Sequence, residues 1–545
     1  MRSFTVLPRT VTVFAVAGLL VSTLFTPWLM VSGRGSELAP TVAKNPAIRT
    51  TPPAPMFEEK PRLAELAQRR AQVAQAIGPK AMLILFSAEP RVYANDVDYE
   101  YRQENNLYYL TSLKQKGATL VLLPNNTQFP EILFMPRRDP AAETWTGHMY
   151  SPEEASQVSG VREIWEATEF EPFMRALRNR QPYRPKAEHL LLSLPSATEQ
   201  AGTASSFETL FNAAGKNEAA LYLLIPREAE SREYKQEQRF ASDWAKSATG
   251  FSVRSATPVF ADLRLRKSAM ELQLLQHAID ITTEGQERAW VAAGDAKWEY
   301  EVDALVAYTF KLRNADHWGY PSIVGCGPNA TTLHYEESQG AVRPGDLLLM
   351  DVGAEYEHYS ADVTRTFPVN GKFSPTQAEV YQIVFDAQEA GAKVIRPGAL
   401  VSDVNRAATE VIKNGLLKLG LITDRSSNQY RIWFMHGTSH WLGMNVHDVG
   451  NYGTRLEPGM VFTNEPGIYI RPDALDYLPS SWKQNDWEKF KTAVRPAFEK
   501  YKSIGVRIED DMLVTAEGPR WLTEALPRKI SEIEEFIARA RRAAQ

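Results

Sequence analysis

The stretch LLLMDVGAEYEHYSADVTRTF, residues 347–367, decides how the second half of the chain folds. It begins as the apolar run typical of a buried β-strand, and Asp351 lies at the end of that run. Asp362 follows eleven positions later, inside a second strand-like segment. Carboxylates without partners are costly to bury. The pattern therefore predicts two strands whose aspartates share a positively charged partner.

The composition of the chain is that of a globular protein with more than one domain. Its 545 residues are 44% hydrophobic and 23% charged, enough for two or three domains with their own cores. A net charge of −5 gives no electrostatic case for a nucleic-acid partner. Cys326 is the one cysteine in the sequence, which excludes an intrachain disulfide and a thiolate zinc site. A metal site would have to use carboxylates and imidazoles.

The first 34 residues differ from the rest of the chain. The start MRSFTVLPRT carries two arginines, and residues 11–32 then contain no charge. A basic start followed by an apolar run predicts a signal peptide or a membrane anchor over residues 1–34, and the length of the run leaves both open. We therefore expect the protein to be exported or membrane-anchored, in the cell envelope, the periplasm or the extracellular space.

Two folded domains are predicted after this segment. Residues 35–57 are rich in Pro and Thr and indicate a linker. Residues 58–260 alternate helical patterns with strand signals such as AMLILFSA, NNLYYLTSL and GATLVLLP, which indicates an α/β domain. Residues 265–545 mix helices with apparent antiparallel strand pairs, so we expect an α+β domain there.

Helix starts in the second domain are marked by two capping patterns. Ser268 with Glu271 forms the S-x-x-E pattern. Ser374 is followed by Pro375 at the first helical position and by Gln377 two residues later. Each pattern predicts where a long helix begins.

Three of the nine histidines fall in FMHGTSHWLGMNVHDVG: His436, His440 and His447. Gly437 and Gly443 favour a loop or an irregular strand over a helix in this segment. A single histidine is usually a surface or core residue, but three in one glycine-containing segment indicate a functional site.

Carboxylates beside apolar strand residues occur four times in the second domain. Each alone would be a solvated residue or the partner of an arginine such as Arg365 or Arg507. Together with one histidine they form a set of hard oxygen ligands and an imidazole, which suits Mn²⁺, Co²⁺, Zn²⁺ or Fe²⁺. The four are Asp351, Asp362, Glu465 and Glu509.

Four motifs in this order carry a family resemblance: MDVGAEYEHYSADVTRTF, MHGTSHWLGMNVHDVG, TNEPGIYI and GVRIEDDMLVT. They resemble the pita-bread (creatinase/aminopeptidase) metallopeptidases, and among these the Xaa-Pro aminopeptidases (aminopeptidase P). The resemblance covers about residues 265–530. The segment YEYRQENNLYYLTSL is similar to the creatinase-like N-terminal domain of the same family.

The resemblance implies two divalent metal ions per subunit, with Mn²⁺ expected and Zn²⁺ or Co²⁺ as alternatives. Asp351 would bind one ion, and Asp362 and Glu509 would bridge both. His440 and Glu465 would bind the other ion, and a water or hydroxide would be shared between the two. The implied metal ligands are Asp351, Asp362, His440, Glu465 and Glu509.

The resemblance also implies the reaction and its other residues. The enzyme would hydrolyse the bond between an N-terminal residue and a following proline, with Glu465 as general base. His447 and His334 would stabilise the oxyanion. The proline pocket would be lined by His436, Arg507 and Tyr469. The resemblance further implies a homo-oligomer.

Two alternatives remain open from the sequence. A prolidase, which cleaves Xaa-Pro dipeptides, could use Arg471 or Arg495 in the insert 471–503 to bind a substrate carboxylate, although a surface excursion is the simpler interpretation of that insert. A creatinase-like relative without metal, or a binding protein on the same fold, is the second alternative. Asn445 stands where the family often has Asp.

Overall fold

The computed structural model describes residues 45–193, 206–226 and 234–544. The predicted signal peptide or anchor lies outside these residues. Among the helices that are described, none has the length and apolarity that crossing a bilayer requires.

The first domain is built on a mixed β-sheet with helices packed around it. The strands of this domain are Ala81–Phe86 (β1), Val92–Ala94 (β2), Val97–Asp98 (β3), Thr119–Leu122 (β4), Glu131–Met135 (β5), Ile164–Glu166 (β6), Leu190–Leu192 (β7), Ala219–Leu223 (β8) and Phe251–Ser255 (β9). Seven of them form one sheet in the order β7-β6-β5-β4-β1-β8-β9, and β2 with β3 forms a separate hairpin. Strand β1 is buried along its whole length, as its uninterrupted apolar sequence predicts.

The helices of the first domain are Glu59–Ile77 (α1), Asn105–Thr111 (α2), Pro140–Thr146 (α3), Pro152–Ser159 (α4), Phe170–Arg178 (α5), Glu208–Gly215 (α6), Lys235–Ser247 (α7) and Thr257–Leu265 (α8). One sequence prediction is wrong here, because the stretch NNLYYLTSL forms helix α2 instead of a strand. The Glu104 side chain caps this helix by accepting from the Leu107 N–H. Every residue of α2 is buried, so its apolar run reflects burial on all sides.

The second domain combines small antiparallel sheets with long helices, so the predicted α+β class is confirmed. Its strands are His317–Trp318 (β10), Ile323–Cys326 (β11), Leu347–Val352 (β12), Ala354–Tyr356 (β13), Tyr359–Ser360 (β14), Val363–Pro368 (β15), Val461–Asn464 (β16), Gly467–Tyr469 (β17), Gly505–Arg507 (β18), Asp510–Thr515 (β19) and Gly518–Trp521 (β20). The sheets have the orders β11-β12-β15, β16-β19-β20, β10-β13-β14 and β17-β18. The helices are Ala269–Ala292 (α9), Glu299–Leu312 (α10), Pro375–Lys393 (α11), Val401–Leu419 (α12), Gln484–Tyr501 (α13) and Ile530–Ala544 (α14).

Both predicted helix starts are confirmed. At the start of α9 the Ser268 side chain accepts from the Glu271 N–H, and the Glu271 carboxylate accepts from the Ser268 N–H. Ser374 and Gln377 make the same reciprocal pair at the start of α11. Each capping box thus pairs two backbone N–H groups that the start of a helix would otherwise leave without a partner.

Part of the predicted linker is attached to the second domain. The backbone N–H of Arg49 donates to Glu287, and that of Thr51 donates to Glu284 at 2.8 Å. The side-chain amide of Asn45 donates to the carbonyl of Ala540 at 2.7 Å. The segment is held because buried carboxylates on helix α9 accept its backbone donors, although the first helix begins only at Glu59.

The insert 471–503 is more than a surface excursion. Its helix α13 contributes Trp487, Phe490 and Phe498 to the main core of the second domain. The insert arginines lie outward: Arg471 pairs with Asp473 at 2.8 Å and is half exposed, and Arg495 lies 3.6 Å from Glu499. Neither of these contacts supports a role for Arg471 or Arg495 in binding a dipeptide carboxylate.

Gly353 lies where the segments that carry Asp351 and Asp362 approach each other closely. A Cβ atom at Gly353 would lie 1.9 Å from the carbonyl oxygen of Ala361, whereas a Cβ at Gly437 would meet nothing within 4 Å. We expect Gly353→Ala to lower the free energy of unfolding by about 3 kcal/mol or more, because backbone atoms must move apart. Gly437→Ala is the control and should stay within about 1 kcal/mol of wild type. Equal denaturant midpoints for the two variants would contradict the close approach.

Candidate active site

The first two acidic residues of the site come from one antiparallel strand pair. In the β12–β15 ladder, Asp351 lies opposite Thr364. Alternate residues of a strand face the same side, so Asp362, two positions before Thr364, faces the side of Asp351. Val352 and Val363, which lie opposite each other in the ladder, belong to the core. The two strands thus bring both aspartates to one buried surface.

The other two acidic residues come from a second strand pair in the same manner. In the β16–β19 ladder, Thr463 lies opposite Asp511. Glu465 is two positions after Thr463 and Glu509 is two positions before Asp511, so both lie just beyond the ladder on one side. The N–H of Glu509 donates to the carbonyl of Thr364 at 3.0 Å, which joins the two strand pairs.

His440 lies at the centre of the cluster. Its backbone is fixed to β16 by the Thr463 N–H, which donates to the His440 carbonyl at 2.9 Å. Its Nε2 atom lies 3.2 Å from Asp362, 3.4 Å from Glu465 and 4.0 Å from Glu509. No helix forms over the described residues 434–450, as the glycines of the segment predict.

Asp351 lies at the edge of this cluster, where both of its oxygens have partners in the protein. Oδ2 accepts from Nη2 of Arg507 at 2.5 Å, and Oδ1 lies 2.5 Å from the hydroxyl of Tyr320. The same hydroxyl lies 2.6 Å from Oδ1 of Asp362. A carboxylate oxygen has two lone-pair directions, so these contacts leave Asp351 able to bind a cation as well. Arg365, the other arginine considered as a partner, pairs with Asp510 instead.

Burial and mutual repulsion shift the proton affinities of the cluster. Burial raises the pKa of Glu465 to about 7. Burial, followed by the negative charge of Asp362, raises the pKa of Glu509 well above its usual range. For His440 burial alone would lower the pKa, but the contact with Asp362 and the charge of Glu465 outweigh it and raise the pKa to about 9. The site therefore retains protons that a bound cation would replace.

A divalent cation fits the donor set that the structure brings together. Donor atoms of Asp362, His440 and Glu509 lie within 4.8 Å of one another, and Glu465 adjoins His440. Nearby Asp511 has a buried Oδ1 atom without a hydrogen-bond partner. Several buried carboxylates with one imidazole and one arginine carry excess negative charge, which is costly unless a cation offsets it. Oxygen donors and a single imidazole suit divalent ions of the first transition row.

A chain of hydrogen bonds connects Asp351 through Arg507 and Tyr469 to His436. Arg507 donates to the hydroxyl of Tyr469 at 2.9 Å, and that hydroxyl lies 2.8 Å from Nε2 of His436. The Nδ1 atom of His436 lies 2.7 Å from the carbonyl of Gly437. Burial and then the charge of Arg507 lower the pKa of His436 to about 4, so this imidazole is neutral near pH 7. Its neutral form donates to Gly437 and accepts from Tyr469.

The two other candidate histidines are exposed beside the cluster. The ring of His447 packs edge-on against His440 with 4.3 Å between centroids. Burial and then the charge of His440 lower the pKa of His447. His334 follows the short 3₁₀ helix at residues 327–331, is exposed, and is near enough to influence the pKa of both His436 and His447.

Three residues of the site were missed by the sequence reasoning: Tyr320, Thr364 and Asp511. Thr364 donates from its hydroxyl to Glu509 at 2.6 Å and accepts from Nε of Arg507 at 3.0 Å. Thr364 is two positions after Asp362 in ADVTRTF, and this strand alternation could have identified it from the sequence. Tyr320 lies in a segment with no motif, and its role depends on a contact 31 positions along the chain.

These features define a class: a two-domain protein whose second domain holds a buried carboxylate and histidine cluster of the kind found in metallopeptidases. The model of Metallopeptidase family M24 matches residues 273–516, and that of the Aminopeptidase P N-terminal domain matches residues 66–184. The Xaa-Pro aminopeptidase of Haemophilus influenzae is 33% identical over 482 residues, covering 87% of this chain and 97% of the relative. The Escherichia coli Xaa-Pro aminopeptidase is also 33% identical, over 488 residues, 88% of this chain and 98% of the relative.

Solved structures agree with these relatives. The structure of aminopeptidase P from E. coli with the inhibitor Pro-Leu has a TM-score of 0.71 at 30% identity, covering 90% of this chain and 100% of that one. The chain belongs to the Xaa-Pro aminopeptidases of metallopeptidase family M24 and is a hydrolase of this type. The family resemblance and the pita-bread fold with its N-terminal domain are confirmed. Membership implies divalent metal ions and a peptide substrate.

The protons on the cluster make metal binding dependent on pH. Glu465 with a pKa of about 7 and His440 with a pKa of about 9 must each release a proton before they bind a cation. We therefore expect the affinity of metal-free protein for Mn²⁺ to rise between about pH 6 and pH 9, with proton release on binding. Calorimetry in buffers of different ionisation enthalpy would count the protons. An affinity that is flat across this range would contradict the assignment.

Proposed function

We propose that the enzyme removes the N-terminal residue from peptides that have proline in the second position, and that it does so with two divalent metal ions. The observation that carries this proposal is the convergence of Asp362, His440 and Glu509 beside the hydrogen-bonded row Arg507, Tyr469 and His436. The first group is a set of cation ligands. The second forms a fixed polar wall next to it.

The ions would be held by the five residues that the family resemblance implies: Asp351, Asp362, His440, Glu465 and Glu509. Divalent ions bound there would make a water molecule acidic enough to be a nucleophile near neutral pH. We propose Mn²⁺ as the native metal, with Zn²⁺ or Co²⁺ as alternatives, because the ligand set is rich in oxygen.

The residues of the chain supply the remaining chemistry. Glu465, one of the proposed cation ligands, accepts the proton of the attacking water and passes it to the proline nitrogen as the C–N bond breaks. His447 and His334, which are exposed beside the cluster, stabilise the negative charge that develops on the carbonyl oxygen of the substrate. Neutral His436, fixed by Tyr469 and by Gly437, presents an uncharged ring face to the proline ring.

A bond to proline needs a dedicated site because its nitrogen carries no N–H. A pocket of neutral imidazole and tyrosine held by Arg507 offers a rigid wall for the ring without requiring a donor from the substrate. Arg507 is buried and its charge is offset by Asp351, so it can support Tyr469 without attracting a substrate carboxylate.

Hydrolysis assays test this proposal. We expect Mn²⁺-loaded protein to cleave an Xaa-Pro-Xaa tripeptide, and Asp362→Asn to lose more than about 100-fold in kcat/KM because a cation ligand is removed. Asp386→Asn, an exposed aspartate on helix α11, is the matched control and should retain wild-type activity. Cleavage of an Xaa-Pro dipeptide alone would make the enzyme a prolidase. Bound Mn²⁺ without cleavage of either peptide would refute the substrate class.

We also propose that the protein is exported or membrane-anchored, because a basic start and an uncharged run of residues precede the first domain. In its own cells we expect it in the envelope or outside the cell, and we expect removal of residues 1–34 to leave it in the cytoplasm. Fractionation with an intact-mass measurement would separate a cleaved signal from a retained anchor. Full-length protein in the cytoplasm would contradict both.

A homo-oligomer is the assembly that the family resemblance implies, and we propose it for this chain. Light scattering of the purified protein would measure it, and a monomeric mass would contradict it.

A further inference from the structure

Arg102, in the first domain, contacts two separate segments of the second. Its Nε atom donates to Oε1 of Glu355 at 2.7 Å and its Nη2 atom donates to Oε2 of Glu355 at 2.7 Å. The same Nη2 atom donates to the carbonyl of Met444 at 2.8 Å. Glu355 and Met444 are both buried, so one guanidinium ties together two buried segments that are far apart in sequence.

Asn105 repeats this double contact from the start of helix α2. Its Nδ2 atom donates to the side-chain oxygen of Asn445 at 2.8 Å, and its Oδ1 atom lies 2.9 Å from Nδ1 of His358. His358 lies at the tip of the β13–β14 hairpin, where it and Glu357 both have positive φ angles. Tyr108 stacks on the His358 ring with 4.0 Å between centroids.

The two segments that Arg102 and Asn105 hold are the ones that carry the candidate ligands. The β13–β14 hairpin is the whole connection between Asp351 and Asp362. Met444 and Asn445 lie between His440 and His447. The segments also touch directly, because the N–H of Ser360 donates to the carbonyl of Gly443 at 2.9 Å. Moving either segment would therefore change the spacing between the aspartates and His440.

A third contact from the first domain is made with Asp448, the residue that follows His447. Arg264 forms a buried ion pair with Asp448 and donates to the side-chain oxygen of Asn106 at 2.8 Å. Neighbouring Lys267 lies 3.8 Å from Asp448. The first domain thus contacts the histidine segment at Met444, Asn445 and Asp448.

We propose that Arg102 is a positioning residue for the metal centre, which locks the aspartate hairpin to the histidine segment so that Asp351, Asp362 and His440 keep the spacing a cation requires. The inference rests on the proposed function, because it takes these residues as metal ligands. The Arg102 side chain is 38% exposed, and its hydrogen bonds to the second domain go to Glu355 and Met444, outside the cluster. It acts through Glu355 and Met444, so the first domain is part of the scaffold of the metal centre.

The test compares Mn²⁺ binding by metal-free wild type, Arg102→Met and Arg102→Lys in the full chain. We expect Arg102→Met to weaken Mn²⁺ binding about 10-fold or more, as the loss of groups behind metal ligands commonly does. Lysine keeps the charge but lacks the planar fork that pairs with both oxygens of Glu355 while it also donates to Met444, so Arg102→Lys should give a smaller loss of about 3-fold. Titration calorimetry gives the affinities, and the electron paramagnetic resonance spectrum of bound Mn²⁺ should change in both variants.

Arg70→Lys is the matched control. Arg70 makes the same kinds of contact, a forked pair with Glu131 and bonds to the carbonyls of Leu110 and Ser159, but all of them lie within the first domain. We expect it to lower the melting temperature while leaving Mn²⁺ affinity within about twofold of wild type.

The remaining outcomes would contradict either the positioning role of Arg102 or the proposed function. Wild-type affinity and spectrum in Arg102→Met, or equal losses in Arg102→Lys and Arg70→Lys, would refute a positioning role for Arg102. If wild type binds no divalent cation, the proposed function fails and this inference fails with it. If wild type binds Mn²⁺ but cleaves no proline peptide, the substrate class fails and the positioning role is still decided by the affinities.

Discussion

Repulsion between buried carboxylates is the constraint on which the rest of this structure depends. Asp351, Asp362, Glu465 and Glu509 lie close together, and His440 and Arg507 are the cationic side chains in direct contact with them. Such a cluster is stable only if donors and cations offset its charge. Burial raises the pKa of Glu465, and the neighbouring carboxylates raise the pKa of His440. The architecture around the cluster keeps the carboxylates in place despite this cost.

The framework behind the cluster is a second layer of hydrogen-bonded polar groups. Arg365 is wholly buried and donates to Asp510 and to the carbonyl of Glu509, both at 2.6 Å. Gln388 donates to Asp510 at 2.7 Å and to the carbonyl of Asn464 at 3.1 Å. These bonds cross-link helix α11 and strands β15, β16 and β19. A buried hydrogen-bond network of this kind restrains the strand ends that carry the carboxylates from moving apart.

The two domains pack against each other through a shared hydrophobic cluster. One hydrophobic cluster contains Leu107 and Leu110 of the first domain together with Leu442, Met444 and Val461 of the second. The polar contacts of Arg102 and Asn105 lie at the edge of this shared core. A domain interface of this kind transmits displacement, because close-packed side chains have no free volume to absorb it. Residues of both domains consequently surround the candidate metal site.

The sequence by itself was enough to propose the types and order of the candidate site residues and to predict the starts of helices α9 and α11, because strand alternation, capping boxes and ligand chemistry are local. It also predicted that His440 lies in irregular backbone. The helix at 105–111, Tyr320 between the two aspartates and the attachment of residues 45–51 were decided by the tertiary structure alone. Each depends on partners far along the chain, as Arg102 and Glu355 do across 253 positions. Local propensity does not contain such contacts, since burial against another domain can override it.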